Sequence, residues 1–151
     1  MVGECEACGN QIRYEHLIFH RNWGWLTVGC QCADRLTATN TASIVEKRRK
    51  EEAKKFKTFR DSSKWKHSGQ GYHRTYKEYK ISIWNNVSSF RIDILFYYLD
   101  RARVHQTKKL ASNKKYKTLD DAKYAVYDSI ISGKLKSHID KKYGHLFCKD
   151  I

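Results

Sequence analysis

Apolar positions along this chain repeat with a period of two in one region and of about three and a half in the next. Tyr79, Ile81 and Ile83 alternate with Lys80, Ser82 and Trp84, and Phe90, Ile92, Ile94, Phe96 and Tyr98 alternate with Arg91, Asp93, Leu95 and Tyr97. Alternation of this kind predicts two antiparallel strands with one buried face. Asn85-Asn86 is the expected tight turn between them. A third strand is expected within Arg101 to Leu110, where Val104 and Gln106 continue the extended pattern before the polar loop Ser112-Asn113-Lys114-Lys115. The period then lengthens. Thr118-Leu-Asp-Asp121 has the form of a helix entry, Leu119, Ala122, Val126 and Ile130 fall on one face, and Gly133 ends the run. A second short helix is expected over Lys134 to Tyr143.

Upstream the pattern thins. Ser43 followed by Glu46 reads as a capping box, and good helix formers run on through Lys57. The apolar stripe Ile44, Val45, Ala53, Phe56 and Phe59 is narrow, so this helix is expected to be a basic connector. Ser62-Ser63 and Ser68-Gly69-Gln70-Gly71 read as loops. The expected organisation is α+β in three parts: a metal-stabilised module over 1–40, a basic helical connector over 41–71, and a small antiparallel sheet with a packed helix over 72–151.

Charge sharpens this division. Residues 1–45 carry three Lys/Arg against four Asp/Glu, whereas residues 46–151 carry 27 against 12. A sequence pI near 9.6 with the excess confined to one region is the footprint expected of a nucleic-acid partner, since each neutralised phosphate releases condensed counterions. Lys47, Arg48 and Arg49 on the connector are candidate phosphate contacts, against the plainer reading of a solvated helix face laced with i,i+4 pairs. If the isoleucines face the helix, Lys80, Trp84 and Arg91, with Arg101 or Arg103, occupy the opposite sheet face as candidate nucleic-acid contacts; burial of Trp84 and Tyr97 under the connector is the competing reading. No run of about 18 apolar residues and no basic n-region followed by an apolar h-region occurs, so neither a membrane span nor a signal peptide is expected. A reducing cytoplasm is the expected setting.

In such a setting clustered cysteines more often bind metal than form disulfides. Four of the five cysteines fall in two pairs, Cys5-x-x-Cys8 followed by Gly9, and Gly29-Cys30-x-Cys32, with Cys148 standing apart as an ordinary thiol. The first pair has the form of a zinc knuckle. The second is tighter than the commoner spacing, so it needs a compact turn or a helix beginning at Cys32 to turn that thiol inward. Cys5, Cys8, Cys30 and Cys32 are the expected ligands of one Zn2+ in a closed structural site, joined by strands in the intervening segment. His16 and His20 are rival ligands, and either would replace a cysteine. A nuclease built on these histidines beside the knuckle is a weaker alternative, because no further residue recurs at a spacing that completes it. No phosphate loop, Gly-x-Ser-x-Gly elbow or His-Glu-x-x-His is present. A non-enzymatic protein is expected, with no catalytic residue assigned.

Two segments carry resemblances. Cys5-Glu-Ala-Cys8-Gly-Asn-Gln-Ile-Arg-Tyr-Glu-His16, with Leu26-Thr-Val-Gly-Cys30-Gln-Cys32-Ala33, is similar to the N-terminal module of uncharacterised small proteins of bacteria and their phages. That resemblance spans about a quarter of the chain and implies a zinc ribbon but no activity, with the cytoplasm of a bacterial host cell as the expected location. The strands followed by Tyr116-Lys-Thr-Leu-Asp-Asp-Ala-Lys-Tyr-Ala125 resemble the three-strand-plus-helix domains of plant ethylene-response factors and of integrase arm-binding modules. The latter resemblance implies a sheet that enters the DNA major groove with a helix packed behind it. The expected function is therefore zinc-stabilised nucleic-acid binding, DNA ahead of RNA, in a phage or mobile-element protein. The alternative is an inhibitor or adaptor that occupies a host nucleic-acid enzyme or defence protein, with Trp23 and Trp25 as interface anchors.

Overall fold

Two separate apolar clusters organise the chain. In a computed structural model, which describes residues 3–148, the chain divides into two units, Met1–Lys55 and Phe56–Ile151. In the first unit, strands β1 (Gly3–Glu4) and β2 (Gln11–Ile12) flank the Cys5–Cys8 turn and pair antiparallel. Strands β3 (His16–His20) and β4 (Gly24–Val28) form a hairpin with Phe19 opposite Trp25. Helix α1 (Cys30–Thr37) follows directly from Gly29, whose extended backbone serves as its N-cap. Cys5, Val28 and Ala33 are the buried centre, with Ile12, Ile18, Leu26 and Leu36 packed around them.

Helix α2 (Thr41–Arg60) crosses from one unit into the other. Its entry is not the capping box that Ser43 and Glu46 suggest. Asp34, one turn into α1, accepts the Ala42 N–H at Oδ1 (2.9 Å) and the Ser43 N–H at Oδ2 (3.1 Å), and the Ser43 hydroxyl also donates to it. A carboxylate from the preceding helix thus satisfies the orphan donors, and Glu46 turns to Lys50 and His16 instead.

The second unit is a five-stranded antiparallel meander, β5 (Lys66–Ser68), β6 (Gly71–Tyr76), β7 (Tyr79–Asn86), β8 (Ser89–Leu99) and β9 (His105–Ala111), in sequential order. Helices α3 (Leu119–Ile131) and α4 (Lys134–Tyr143) follow, then a 3-10 turn at Gly144–Leu146. The α+β class and the helix packed behind an antiparallel sheet stand as the sequence predicts, but the sheet is wider. The Ser68 to Gly71 stretch is a hairpin turn between β5 and β6, and the third expected strand is confined to β9, leaving Arg101 and Arg103 in the turn before it.

The β7–β8 turn also moves, from Asn85-Asn86 to Val87-Ser88, because Asn85 pairs with Phe90 and Asn86 with Ser89. Core register explains the shift. Ile81 lies opposite Ile94 and Ile83 opposite Ile92, whereas a turn at 85–86 would set Ser88 against Ile83 in the core. These isoleucines pack with Tyr79, Phe96, Ala122, Val126, Tyr127, Ile130, Leu135, Ile139 and Phe59.

Two cations close the C-terminal end of α2. Arg74 donates to the Phe59 carbonyl (2.6 Å) and lies over the Phe59 ring, 4.5 Å from its centroid. Lys123, only 8% exposed, donates to the Arg60 carbonyl at 2.9 Å. Both meet the negative end of the helix dipole and its unpaired carbonyls, while burial pulls each cation below its ordinary pKa. Among the described residues, no helix is long and apolar enough to cross a membrane.

Candidate metal centre and sheet surface

Local backbone chemistry builds the cysteine site. The Gly9 N–H returns to the Cys5 carbonyl at 2.7 Å with φ +71°, a left-handed turn that glycine adopts freely and that folds Cys8 back beside Cys5. From the other side, α1 begins at Cys30, so its first turn carries Cys32 inward. The helix begins two residues before the expected start, at Cys30 and not at Cys32. The sulfurs of Cys5, Cys8 and Cys32 lie within 4.8 Å of one another and form a group able to hold a metal ion. A tetrahedral thiolate site with metal–sulfur bonds of about 2.3 Å spaces its sulfurs by about 3.8 Å, a spacing that falls inside the range of these three donors.

The electrostatics of the group favour a cation. Burial opposes ionisation of Cys5, but N–H donors from Gly29, Ala7 and Cys8, together with the Cys8 thiol, outweigh it and bring Cys5 down to about 7. The Gly29 N–H lies 3.4 Å from the Cys5 sulfur. Hydrogen bonds with the Cys8 and Cys5 sulfurs, then burial and their negative charge, push Cys32 up to about 11. Three thiols this close cannot all ionise without a positive charge among them, which a divalent ion would supply.

Cys30 stands outside this trio. Its thiol is hydrogen-bonded to Glu46, which with burial raises its pKa, and the Glu46 carboxyl is held below its usual range by Lys50 and by Cys30. All four cysteines nevertheless line one recess of about 320 Å³, together with Glu46 and Lys50. His16 lies beside Glu46, with Nε2 3.7 Å from its Oε2, and that nitrogen is buried without a hydrogen-bond partner. His20 accepts the Asn22 N–H at Nδ1 and stacks on Trp23 at 4.3 Å. Neither histidine belongs to the thiol group. Cys148 lies in the second unit, its backbone N–H bonded to the Leu99 carbonyl.

The sheet surface is set by the strand register. With Ile81, Ile83, Ile92 and Ile94 turned to α3, the opposite face presents Lys80, Ser82 and Trp84 from β7 and Arg91, Asp93, Leu95 and Tyr97 from β8. Pairing extends it to Lys66, His73, Thr75 and Lys109. Lys66, Lys80, Arg91 and Lys109 are exposed, Trp84 is half-buried, and Lys80 sits over Tyr97 at 5.6 Å from the ring centroid. The expected Lys80, Trp84 and Arg91 thus share one face. Lys47, Arg48 and Arg49 are exposed on α2.

Sequence reasoning missed Lys66, His73, Asp93 and Lys109 on this face. His73 bonds to Ser82 (2.9 Å) and meets Trp84 edge-on. Asp93 accepts the Trp84 indole N–H (3.0 Å) and pairs with Lys109 (3.0 Å). The signal for Asp93 was an acidic residue among isoleucines, at a position whose neighbours on β7 and β9 were not yet fixed. No protein-family model, no curated protein and no solved structure matches this chain.

Proposed function

We propose that the chain is a nucleic-acid-binding protein, DNA ahead of RNA, that acts by binding and not by catalysis, with a zinc ion stabilising its first unit. The carrying observation is the sheet face opposite α3, where four strands each contribute an exposed cation, Lys66, Lys80, Arg91 and Lys109, around Trp84 and Tyr97. Cations spaced across strands suit a phosphate backbone, and aromatic faces between them suit bases. Lys47, Arg48 and Arg49 add a second basic surface on α2. The test is binding of labelled single-stranded DNA, duplex DNA and RNA across a salt series. Affinity is expected to fall linearly on a log–log plot, and Lys80→Glu with Lys109→Glu to flatten the slope by about two phosphates' worth. Absence of affinity for every probe at low salt would end this reading.

Zinc is supported by the all-sulfur donor set of Cys5, Cys8 and Cys32. Cys30 is the fourth ligand in this reading, reached by turning from Glu46 within the shared recess. Metal analysis is expected to return one zinc per chain. Cobalt substitution distinguishes four thiolates from three by the intensity of the sulfur-to-metal charge-transfer band, which should drop by about a quarter in Cys30→Ser, one ligand in four.

A second reading has its own observation. The β3–β4 hairpin exposes Leu17, Phe19, Trp23 and Trp25, each more than 60% accessible, an apolar group of the kind that anchors protein interfaces. Capture of one stoichiometric protein that persists after nuclease treatment would favour an adaptor or inhibitor over a nucleic-acid binder.

A further inference from the structure

On the basic sheet face a recess of about 290 Å³ is lined by Trp84, Asp93, Arg91, Lys109, Gln70, Asn85 and Asn86. Its floor is fixed before any ligand arrives. Trp84 lies across β6 at Gly71, where a Cβ would meet Trp84 Cε3 at 2.9 Å and His73 Nε2 at 2.7 Å, so only glycine lets the indole settle there. The indole N–H is held by Asp93 Oδ2, and the His73 ring by Ser82. Asp93 itself is 5% exposed. One of its oxygens is committed to Trp84 and Lys109, while Oδ1 is buried with no hydrogen-bond partner. Arg91 Nε, at 3.8 Å, is too far to serve. An orphaned carboxylate oxygen beside a recess walled by an aromatic ring and three side-chain amides asks for a donor.

We propose that this recess is a nucleobase site: an unpaired base stacks on Trp84 and donates an exocyclic amino hydrogen to Asp93 Oδ1, while Arg91 at the rim meets a flanking phosphate. The inference rests on the nucleic-acid reading and narrows it to a single-stranded or splayed-out base. A base inside a duplex has both ring faces covered by its neighbours and cannot lie on the indole, whereas a single strand offers a free face at each nucleotide. Phosphate is excluded from the floor by the charge of Asp93. Among the bases, cytosine presents an amino donor where thymine presents the O4 carbonyl, so the carboxylate attracts one pyrimidine and repels the other. Asp93 and Trp84 are binding residues here; Gly71, and Ser82 through His73, position Trp84.

The experiment compares end-labelled deoxycytidine and deoxythymidine oligomers of equal length, and a mixed-sequence duplex, by fluorescence anisotropy with the full chain at fixed low salt. Wild-type protein is expected to bind the cytidine strand about tenfold more tightly than the thymidine strand, the size of one hydrogen bond to a charged group, and the duplex more weakly than the cytidine strand. In Asp93→Asn the amide oxygen still accepts the indole N–H while the amide nitrogen turns a donor into the recess, and preference should move to thymidine. A purely structural aspartate would weaken both strands alike. Thymidine affinity kept or raised in Asp93→Asn is itself the control for folding, since an unfolded variant would lose both strands, and Trp84→Ala should weaken both by removing the stacking face. Equal wild-type affinity for the two strands, or duplex binding as tight as the cytidine strand, overturns the nucleobase site and leaves the nucleic-acid reading standing. No affinity for any probe overturns both.

Discussion

Asp100 shows how a single side chain fixes a turn and what pH does to it. Its Oδ1 accepts the Ala102 and Val104 N–H groups, both at 2.9 Å, and its Oδ2 accepts from the Gln106 amide at 3.0 Å, tying the β8–β9 turn in which Arg103 adopts φ +59°. These donors, Val104 first, hold the carboxyl below its ordinary value. A carboxyl whose folded pKa lies below its unfolded value, about 3.9, contributes its stability in full above that value and loses it as pH falls through the folded one. The Ala102 and Val104 amide shifts are therefore expected to move together below about pH 4, and Asp100→Ala to abolish that step. Titration of these amides unchanged in the variant would show that another group controls the turn. At this scale the sequence was only partly legible. The cysteine pairs announced Cys5, Cys8 and Cys32, yet nothing local showed that Asp34 would cap α2 or that Glu46 would hold the Cys30 thiol, because both partners come from other elements.

Helix and strand limits were readable wherever the pattern of burial matched the pattern of polarity. Helix α3 starts where Thr118 stands, and its hydroxyl accepts the Asp121 N–H at 3.0 Å, with Asp120 and Asp121 in the first turn facing the positive end of the dipole. Thr118→Ala is expected to lower the stability of the second unit by about 1 kcal/mol, and Thr118→Ser to restore most of it; chemical denaturation followed by far-UV circular dichroism measures both. Equal loss in the two variants would assign the effect to the threonine methyl and not to the cap. Helix α4 likewise spans the residues its sequence indicates. Strands β5 and β6 escaped notice because their inward positions are His67, Tyr72, Arg74 and Tyr76, where an apolar alternation would be sought. Arg74 fills its place by lying between Phe59 and Tyr76, 5.0 Å from the latter ring's centroid, and donating to a helix end. A half-buried cation therefore reads as a loop residue in the sequence and as a strand residue in the fold.

The two units differ in what holds each of them together. Among the described residues the second unit centres on thirteen buried side chains, most of them isoleucine or aromatic, and each such burial contributes about 1.5–3 kcal/mol. The first centres on three, Cys5, Val28 and Ala33, of which Val28 alone buries a large aliphatic group. Two short β-pairs and an eight-residue helix cost far more backbone entropy than that returns, at about 1–2 kcal/mol per ordered residue. On the proposed metal reading, an ion tying the Cys5–Cys8 turn and α1 through sulfur would supply the missing term, since the free energy of binding to a site absent from the unfolded chain is folding free energy. Chelation is therefore expected to collapse amide-shift dispersion for residues 3–37 while the amides of 66–143 keep their positions, and Cys8→Ser to do the same without chelator. The boundary lies inside α2, so its N-terminal turns, capped by Asp34 of α1, should fray with the first unit. Its last turn, held by Arg74 and Lys123, should persist with the second. Heteronuclear correlation spectra before and after chelation decide the matter residue by residue. Loss of dispersion across both units on chelation would show that the sheet depends on the metal, and the two clusters would then have to be treated as one cooperative core.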